Sequence, residues 1–254
     1  MGKDAKNSVR SVETSFEILR ALMELDGAGV TELAAHLDVP KSTLHNYLST
    51  LVQQQFLVKE GTTYRIGIPF LELGAYARNQ YPLYEIAKDE VDRIAEETDE
   101  VANMLIEEDG LGYYLHRAHG SSAVSVESHI GTCVPLHSTA LGKAILAYLP
   151  DERVREIADR HGLAPVTEET TTDLGALRAE LATVRERGYA VDDEEYRPGL
   201  RCVAAPVLSD EDRPLGAISV AGPSNRLRGE LFEDELPALL RERVTVVELD
   251  VTYS

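Results

Sequence analysis

Residues 30–67 read VTELAAHLDVPKSTLHNYLSTLVQQQFLVKEGTTYRIG, and the order of apolar, turn and polar positions predicts two short helices at a tight turn, then a β-hairpin. Leu33 and Leu37 lie four apart on a helix begun by Thr31, and small Ala34 lets a following helix approach closely. Asp38 and Val39 make the turn. Pro40 suits a first helical position, where its missing N–H is no loss, and Leu44, Leu48 and Leu51 then mark one buried stripe. Opposite the stripe, Lys41, Ser42, Thr43, His45, Asn46 and Ser49 gather hydrogen-bonding groups at the start and outer side of the helix, as entry into a DNA major groove by N-terminal residues requires. Phe56-Leu57-Val58 and Thr63-Tyr64-Arg65-Ile66 flank Lys59-Glu60-Gly61-Thr62 as strands flank a turn. The stretch therefore predicts a winged helix-turn-helix, with Lys59, Thr63, Tyr64 and Arg65 as DNA candidates on the wing. A plain helical hairpin with a solvated polar face accounts for the helices but not for small Ala34, turn, Ser42-Thr43 and wing in that order.

At 254 residues the chain exceeds what one small core usually takes, which predicts two domains. An apolar content of 43% is ample for two cores. No stretch approaches the roughly 18–20 uninterrupted apolar residues of a membrane helix, and Met1 to Arg10 lacks a signal-peptide apolar region, so no membrane association and a cytoplasmic location are expected. Cys133 and Cys202 are too few for a disulfide framework and too far apart for a metal knuckle; both are expected as small, buried, reduced thiols. The net charge of −19 looks wrong for a nucleic-acid binder until it is divided. Residues 1–80 carry 8 Lys and Arg against 9 Asp and Glu, a net of −1, and the remainder carries 17 against 35, a net of −18. Six lysines accompany nineteen arginines, and the whole resembles a protein from a high-salt cytoplasm. At about 1 M salt the screening length is only about 3 Å, which mutes repulsion between an acidic body and DNA as well as attraction to phosphates.

Ahead of the motif, a helix is expected from about Val9 to Leu25 with Val12, Phe16, Leu19 and Leu22 or Met23 on its buried face, ended by the glycines of Asp26-Gly27-Ala28-Gly29. After it, Ile68 to Tyr76 reads as a short apolar linker helix at the charge boundary. A charged helix follows from Pro82 to about Asp99, with Ile86, Val91, Ile94 and Ala95 buried. Val101–Glu107, Gly112–Arg117 and Ala123–Glu127 read as strands of antiparallel hairpins. Ser138 is expected to cap a helix from Thr139 to Leu149, with further helices near Asp151–Arg160 and Asp173–Arg187. Strands return at Tyr189–Val191, Arg201–Leu208 and Leu215–Ala221, and a last helix spans about Glu230 to Val247. Hairpins, then helices, then a hairpin give an α+β domain on an antiparallel sheet. The expected divisions are 1–67 for the winged helix-turn-helix, 68–80 for the linker helix and 81–254 for the second domain.

The order of helix, VPKSTLHNYL, wing and linker helix, followed by VPLHSTALGKAILAYL (Val134–Leu149), RERGYAVDDEEYRPGLRCVAAPV (Arg185–Val207) and LGAISVAGP (Leu215–Pro223), closely resembles the IclR family of transcriptional regulators over nearly the whole chain. The resemblance implies a DNA-binding domain joined by a linker helix to a GAF-like effector-binding domain, a homodimer formed through the DNA-binding part, and further pairing into a dimer of dimers. It also implies an effector pocket around the helix start after PLHST, with backbone N–H groups of Ala140 and Leu141. Asp192, Cys202 and Ser219 would supply its polar side chains, and Val126, Val134 and Leu200 its apolar walls. Helix N-termini suit anions, which independently favours a small carboxylate effector; a sugar-derived metabolite is the other expectation. The chain departs from some members at Ala221, where they place a second serine, and from many at Asn46 and Thr14, where arginine is common; Asn46 could pair with an adenine edge.

Other chemistries fit less well. Gly142-Lys143 is no phosphate loop, because no glycine stands five residues earlier and Ala144 follows where Ser or Thr is required. His116 and His119 lack neighbouring ligands for a metal and read as surface or interface histidines. In His137-Ser138, capping explains the serine better than nucleophilic catalysis. Asp192 to Glu195 could hold a cation, though a solvated turn with one residue facing the pocket explains them more simply. A redox enzyme using Cys133 or Cys202 lacks an activating motif beyond Arg201. The expectation is therefore a regulator with no catalytic residue, metal or cofactor, partnered by double-stranded operator DNA and a small-molecule effector.

Overall fold

The computed structural model describes residues 7–123 and 128–253, and the chain divides into two compact units, Met1–Arg78 and Asn79–Ser254. In the first, α1 (Arg10–Glu24), β1 (Ala28–Gly29), α2 (Val30–Leu37), α3 (Lys41–Gln53), β2 (Leu57–Glu60), β3 (Thr63–Ile66) and α4 (Pro69–Arg78) follow in order. Ile18, Leu22, Leu33, Leu44, Leu48, Leu57 and Tyr64 form its core. The stripe expected for α1 holds at Leu22, which is buried, and at Leu19, which packs against the core, but is corrected elsewhere: Ile18 and Ala21 are buried, while Val12, Phe16 and Met23 are more than half exposed. Both stripes obey helical spacing, so only tertiary packing chooses between them. The glycine stop forms as expected, with Gly27 at φ +91° and its N–H donating to the Leu22 carbonyl at 2.9 Å.

Pro40 precedes α3 with ψ 137°, so it occupies the cap position and not the first helical one. The wing is a three-stranded sheet in the order β1-β3-β2; Lys59 and Glu60 lie within β2, pairing with Tyr64 and Thr63, and leave only Gly61-Thr62 for the turn. β1 was too short, at two residues, to leave a period in the sequence. α4 buries none of its residues within the unit, and Ile68, Leu71, Leu73 and Tyr76 are exposed. Phe70 of α4 holds to Phe56 at a ring-centroid distance of 4.9 Å.

The second unit contains α5 (Pro82–Thr98), β4 (Val101–Glu108), β5 (Leu111–His119), β6 (Cys133–Pro135), α6 (Ala140–Leu146), α7 (Asp151–His161), α8 (Leu174–Arg187), β7 (Ala190–Asp193), β8 (Leu200–Leu208), β9 (Pro214–Pro223) and α9 (Leu236–Tyr253), the last preceded by a π-helical turn, Leu231–Glu235. Six strands form one antiparallel sheet in the order β6-β5-β4-β9-β8-β7. Alternation sorts the strand residues to two faces. Ala102, Met104, Val203, Ile218 and Val220 pack with α5 and α9, and Leu105, Ala204 and Ala217 pack with α6, α7 and α8. A β-bulge lies where Met104 opposes His116 and Leu105 opposes Tyr114. It leaves Leu115 in the α5 core and turns Tyr114 to the other face.

Five further expectations change. Thr139, not Ser138, caps α6, its Oγ1 accepting the Gly142 N–H at 3.0 Å, and α6 stops at Leu146. Gly142 is required there: a Cβ would stand 2.1 Å from the Leu136 carbonyl oxygen. Cys133, on the edge strand β6, is exposed, and Cys202, on the interior strand β8, is only partly accessible. α9 runs past Val247 to Tyr253. Of the strand expected over Ala123–Glu127, Ala123 is not in a strand and residues 124–127 lie outside the described residues.

Candidate functional site

The first unit builds an exposed polar face on an apolar anchor. Leu44 and Leu48 of α3 are fully buried, so the helix cannot rotate without exposing them. Lys41, Ser42, Thr43, His45, Asn46 and Ser49 are thereby fixed on the solvent side. No side chain caps the start of α3, which leaves its first N–H groups and the positive end of its dipole open to an anion. An open groove of about 540 Å³ is lined by Thr31, His45, Lys59, Thr62, Thr63 and Tyr64 among others, so the helix and the wing border one surface. The wing residues differ in availability. Thr63 is exposed, whereas Tyr64 is a core residue only 3% exposed, with Lys59 Nζ 5.3 Å from its ring centroid. Arg65 is exposed but occupied, its Nε donating to Glu60 Oε1 at 2.9 Å and its Nη2 to the same oxygen at 2.5 Å.

The second unit holds a small cavity of about 50 Å³ whose lining includes Val101, Asn103, Tyr114, Arg117, Leu141, Asp192, Tyr196, Leu200, Cys202 and Ala221. Its floor follows from strand register. One row across the sheet runs Arg117–Asn103–Ser219–Ala204, and the next runs Val101–Ala221–Cys202–Asp192. Of the residues expected there, Leu141, Asp192, Leu200 and Cys202 line the cavity. Ser219 lies fully buried behind it, accepting from Asn103 Nδ2 at 3.3 Å. Ala140 is fully buried in α6 and Val134 is part of the neighbouring apolar cluster; Val126 lies outside the described residues. Asn103, Tyr114, Arg117 and Tyr196 were not anticipated. Asn103 had a signal, being the one amide in the apolar run Val101–Ile106; Tyr114 had none, since it reaches the cavity face through the bulge.

Burial governs the chemistry of this region. It pushes the Asp192 carboxyl up to about 7, with the nearby Glu195 charge adding to the effect. Asp192 Oδ1 accepts the N–H groups of Glu195 at 2.8 Å and Tyr196 at 3.2 Å. Burial likewise pushes the Cys202 thiol up to about 12, which removes the thiolate that redox or nucleophilic chemistry needs. It also raises Tyr114 and Tyr196 and lowers Arg117. Lys143 of α6 is fully buried, and its Nζ donates to Glu180 of α8 and to Glu195 after β7, each at 2.5 Å. The Gly142-Lys143 pair is thus an interior ionic clamp on three segments. His137 Nε2 lies 3.0 Å from the Ala164 carbonyl oxygen, so the ring is committed to the backbone and not to Ser138. His116 is half-buried against Asp92 of α5, 2.8 Å away.

Two family models match the chain: the IclR helix-turn-helix domain over residues 11–61 and the bacterial transcriptional regulator IclR C-terminal domain over residues 76–248. The probable HTH-type transcriptional regulator ArcR of Halobacterium salinarum is 36% identical over 248 residues, covering 95% of this chain and 93% of that one. The transcriptional repressor IclR of Escherichia coli is 32% identical, covering 88% of this chain and 83% of its own. Among solved structures, the Thermotoga maritima IclR matches with a TM-score of 0.81 at 28% identity, over 96% of this chain and 99% of that one. Among the described residues no helix is long and apolar enough to cross a membrane.

Proposed function

Because this chain belongs to the IclR family of transcriptional regulators, a family that binds DNA through its helix-turn-helix and an effector through its C-terminal domain, we propose how its residues divide that work. Residues 1–67 bind the operator, 68–80 link, and 81–254 receive the effector. On α3, Ser42, Thr43, His45 and Asn46 read base edges, while Lys41 and Ser49 with Lys59, Thr63 and Arg65 of the wing hold phosphates. Tyr64 contributes by supporting Lys59 from the core. The single observation that carries this reading is the exposed run from Lys41 to Ser49 standing on fully buried Leu44 and Leu48.

A homodimer would present two recognition helices to successive major grooves about 34–36 Å apart and read a pseudopalindrome; two such dimers can pair again through the effector domain. The effector, a small carboxylate or sugar-derived metabolite, occupies the cavity bordered by Leu141, Asp192, Leu200 and Cys202, with Ser219, Ala140 and Val134 packed nearby. It alters DNA affinity to the extent that it binds the DNA-competent and incompetent arrangements unequally. α4 is the element proposed to respond. The acidic composition and the similarity to a Halobacterium protein support a high-salt cytoplasm as the setting. The test is fluorescence anisotropy of the full chain on DNA from upstream of its own gene. A salt-sensitive, competitor-resistant complex is expected, released or tightened by one of a panel of small carboxylates; equal affinity for random DNA would overturn the reading.

A further inference from the structure

Residues 194–199, between β7 and β8, contribute Tyr196 and Arg197 to the lining of the second unit's cavity. Left-handed backbone at each end, Glu194 at φ +65° and Gly199 at φ +77°, folds the segment back on itself. The Thr167 and Thr170 hydroxyls donate to the Glu194 carbonyl at 2.8 Å and the Glu195 carbonyl at 2.7 Å, and these ties carry no charge. The others do. Glu195 Oε1 accepts from enclosed Lys143 at 2.5 Å, and Asp192 Oδ1 accepts the Glu195 and Tyr196 N–H groups at 2.8 and 3.2 Å. Lys143 also bonds Glu180 of α8, so two carboxylates meet at one nitrogen and Asp192, only 6% exposed, is a third carboxyl beside them. Glu195 Oε2 is buried with no partner among the described residues. The other cations near the cavity are engaged or outside: Arg117 of β5 bonds Ser128, Arg201 of β8 bonds Asp193, and Arg197 is exposed. Tyr114 of β5, Tyr196 and Cys202 of β8 also face Asp192, and burial raises all three, which keeps them uncharged at neutral pH.

Three carboxyls against one enclosed ammonium leave an excess of negative charge in a largely enclosed corner, and retaining one proton relieves it. We propose that residues 194–199 are a proton-operated strap over the cavity, shut while Asp192 carries a proton and released when that proton is lost to solvent. While the strap is shut, Lys143 holds Glu195. Once ionised, Asp192 repels Glu195 and competes with it for Lys143, and outward movement of the strap admits the water that solvates both. The direction follows from linkage, because the arrangement in which the carboxyl ionises more easily gains as pH rises. Burial and the Glu195 charge push Asp192 up to about 7 from its ordinary 3.8, which places the release in the neutral range. Control of effector access by pH rests on the reading of the cavity given above; the movement of the strap does not.

The test is hydrogen–deuterium exchange of the full chain without DNA or ligand, at pH 6 and pH 8 and constant ionic strength, read by mass spectrometry and corrected for the intrinsic pH dependence of amide exchange. Protection of a peptide spanning residues 194–199 is expected to fall about tenfold between the two pH values. That is the factor given by a carboxyl that titrates at about 7 with the strap shut and at 3.8 with it open. Residues 203–207 of β8 should keep their protection. In Asp192→Asn, which keeps the acceptor but has no proton to lose, the strap should be as protected at pH 8 as at pH 6. Unchanged strap protection in the wild type, or an equal fall in residues 203–207, overturns the proposal without any variant having to fold, and so does a tenfold fall that survives in Asp192→Asn. Operator binding by the same preparation separates the outcomes: if it persists while the strap does not respond to pH, the regulator reading stands and only the strap falls.

Discussion

The proposed recognition helix α3 and the proposed effector cavity dispose of polar side chains in opposite ways. On α3, Lys41, Ser42, Thr43, His45, Asn46 and Ser49 face water on a scaffold of two buried leucines, and water can satisfy their polar groups. In the cavity, Asn103, Asp192 and Ser219 are buried in the sheet, where water cannot freely substitute and each unmet group carries a penalty. The first region can change its contacts at little cost to the fold, whereas the second cannot. Substitutions that remove polar groups should therefore leave the fold of the first unit intact, whereas in the second unit they should also change stability.

The largest break in that contrast is Lys143→Met. The ammonium is fully enclosed and offsets Glu180 and the half-buried Glu195; removing it leaves buried carboxylates uncompensated, which typically costs about 3–5 kcal/mol. Urea unfolding of the second unit's transition should show that loss, and an unchanged midpoint would mean that the clamp is solvated. Asp192→Asn should act in the reverse direction. An acid whose folded pKa is raised holds its proton more tightly when folded, so its ionisation opposes folding. The penalty is absent below about pH 4, grows as pH rises through the interval from its ordinary value of 3.8 to about 7, and is complete above that. Asparagine keeps the acceptor for the Glu195 and Tyr196 N–H groups without the charge. It should stabilise the protein by about 1–3 kcal/mol at pH 8 and by nothing at pH 4, measured as a pH series of denaturation midpoints.

The same contrast explains what the sequence could and could not reveal. Exposed function on an apolar stripe leaves a periodic trace, so Leu33, Leu44 and Leu48 and the polar positions between them were readable in residues 30–67. Five of the six strands of the second sheet were readable too, from alternation and glycine-rich breaks, whereas three-residue β6 and two-residue β1 were too short to show a period. The cavity was legible only through motif resemblance, and then only for Leu141, Asp192, Leu200 and Cys202. Arg117 meets Asn103 because of strand register, and Tyr114 joins them because of a one-residue bulge; neither is local in sequence. α1 was legible only in part for a related reason, since Val12/Phe16 and Ile18/Leu22 obey the same period. Lys143 was read as a failed phosphate loop because its partners lie 37 and 52 residues away.

Asn46→Ala sharpens the comparison from the exposed side. The side chain is solvent-facing and its neighbour Ser49 bonds His45 instead, at 3.4 Å, so stability should change by less than about 0.5 kcal/mol. DNA affinity should fall by roughly 1–3 kcal/mol, with specificity relaxed at a single base position. Competition binding against a series of single-base operator variants checks this, and equal losses on specific and random DNA would remove the base-reading role.

The smallest effects belong to the wing, where the two modes meet. Arg65 is surface-exposed like the recognition helix, yet it is already paired, as the cavity residues are, through both Nε and Nη2 to Glu60 Oε1. With side chains 54% and 63% exposed, such a pair is worth only about 0.2–1 kcal/mol, and high salt screens it further. A phosphate oxygen can thus displace Glu60, but the carboxylate remains nearby and repels the backbone. Arg65→Ala should weaken all DNA sequences alike and lower the slope of log affinity against log salt by about one. Glu60→Gln should do the opposite, tightening all sequences by up to about 1 kcal/mol at low salt without altering operator preference. If Glu60→Gln changed preference instead, the wing would be reading bases, and the division between a specifying helix and a positioning wing would have to be redrawn.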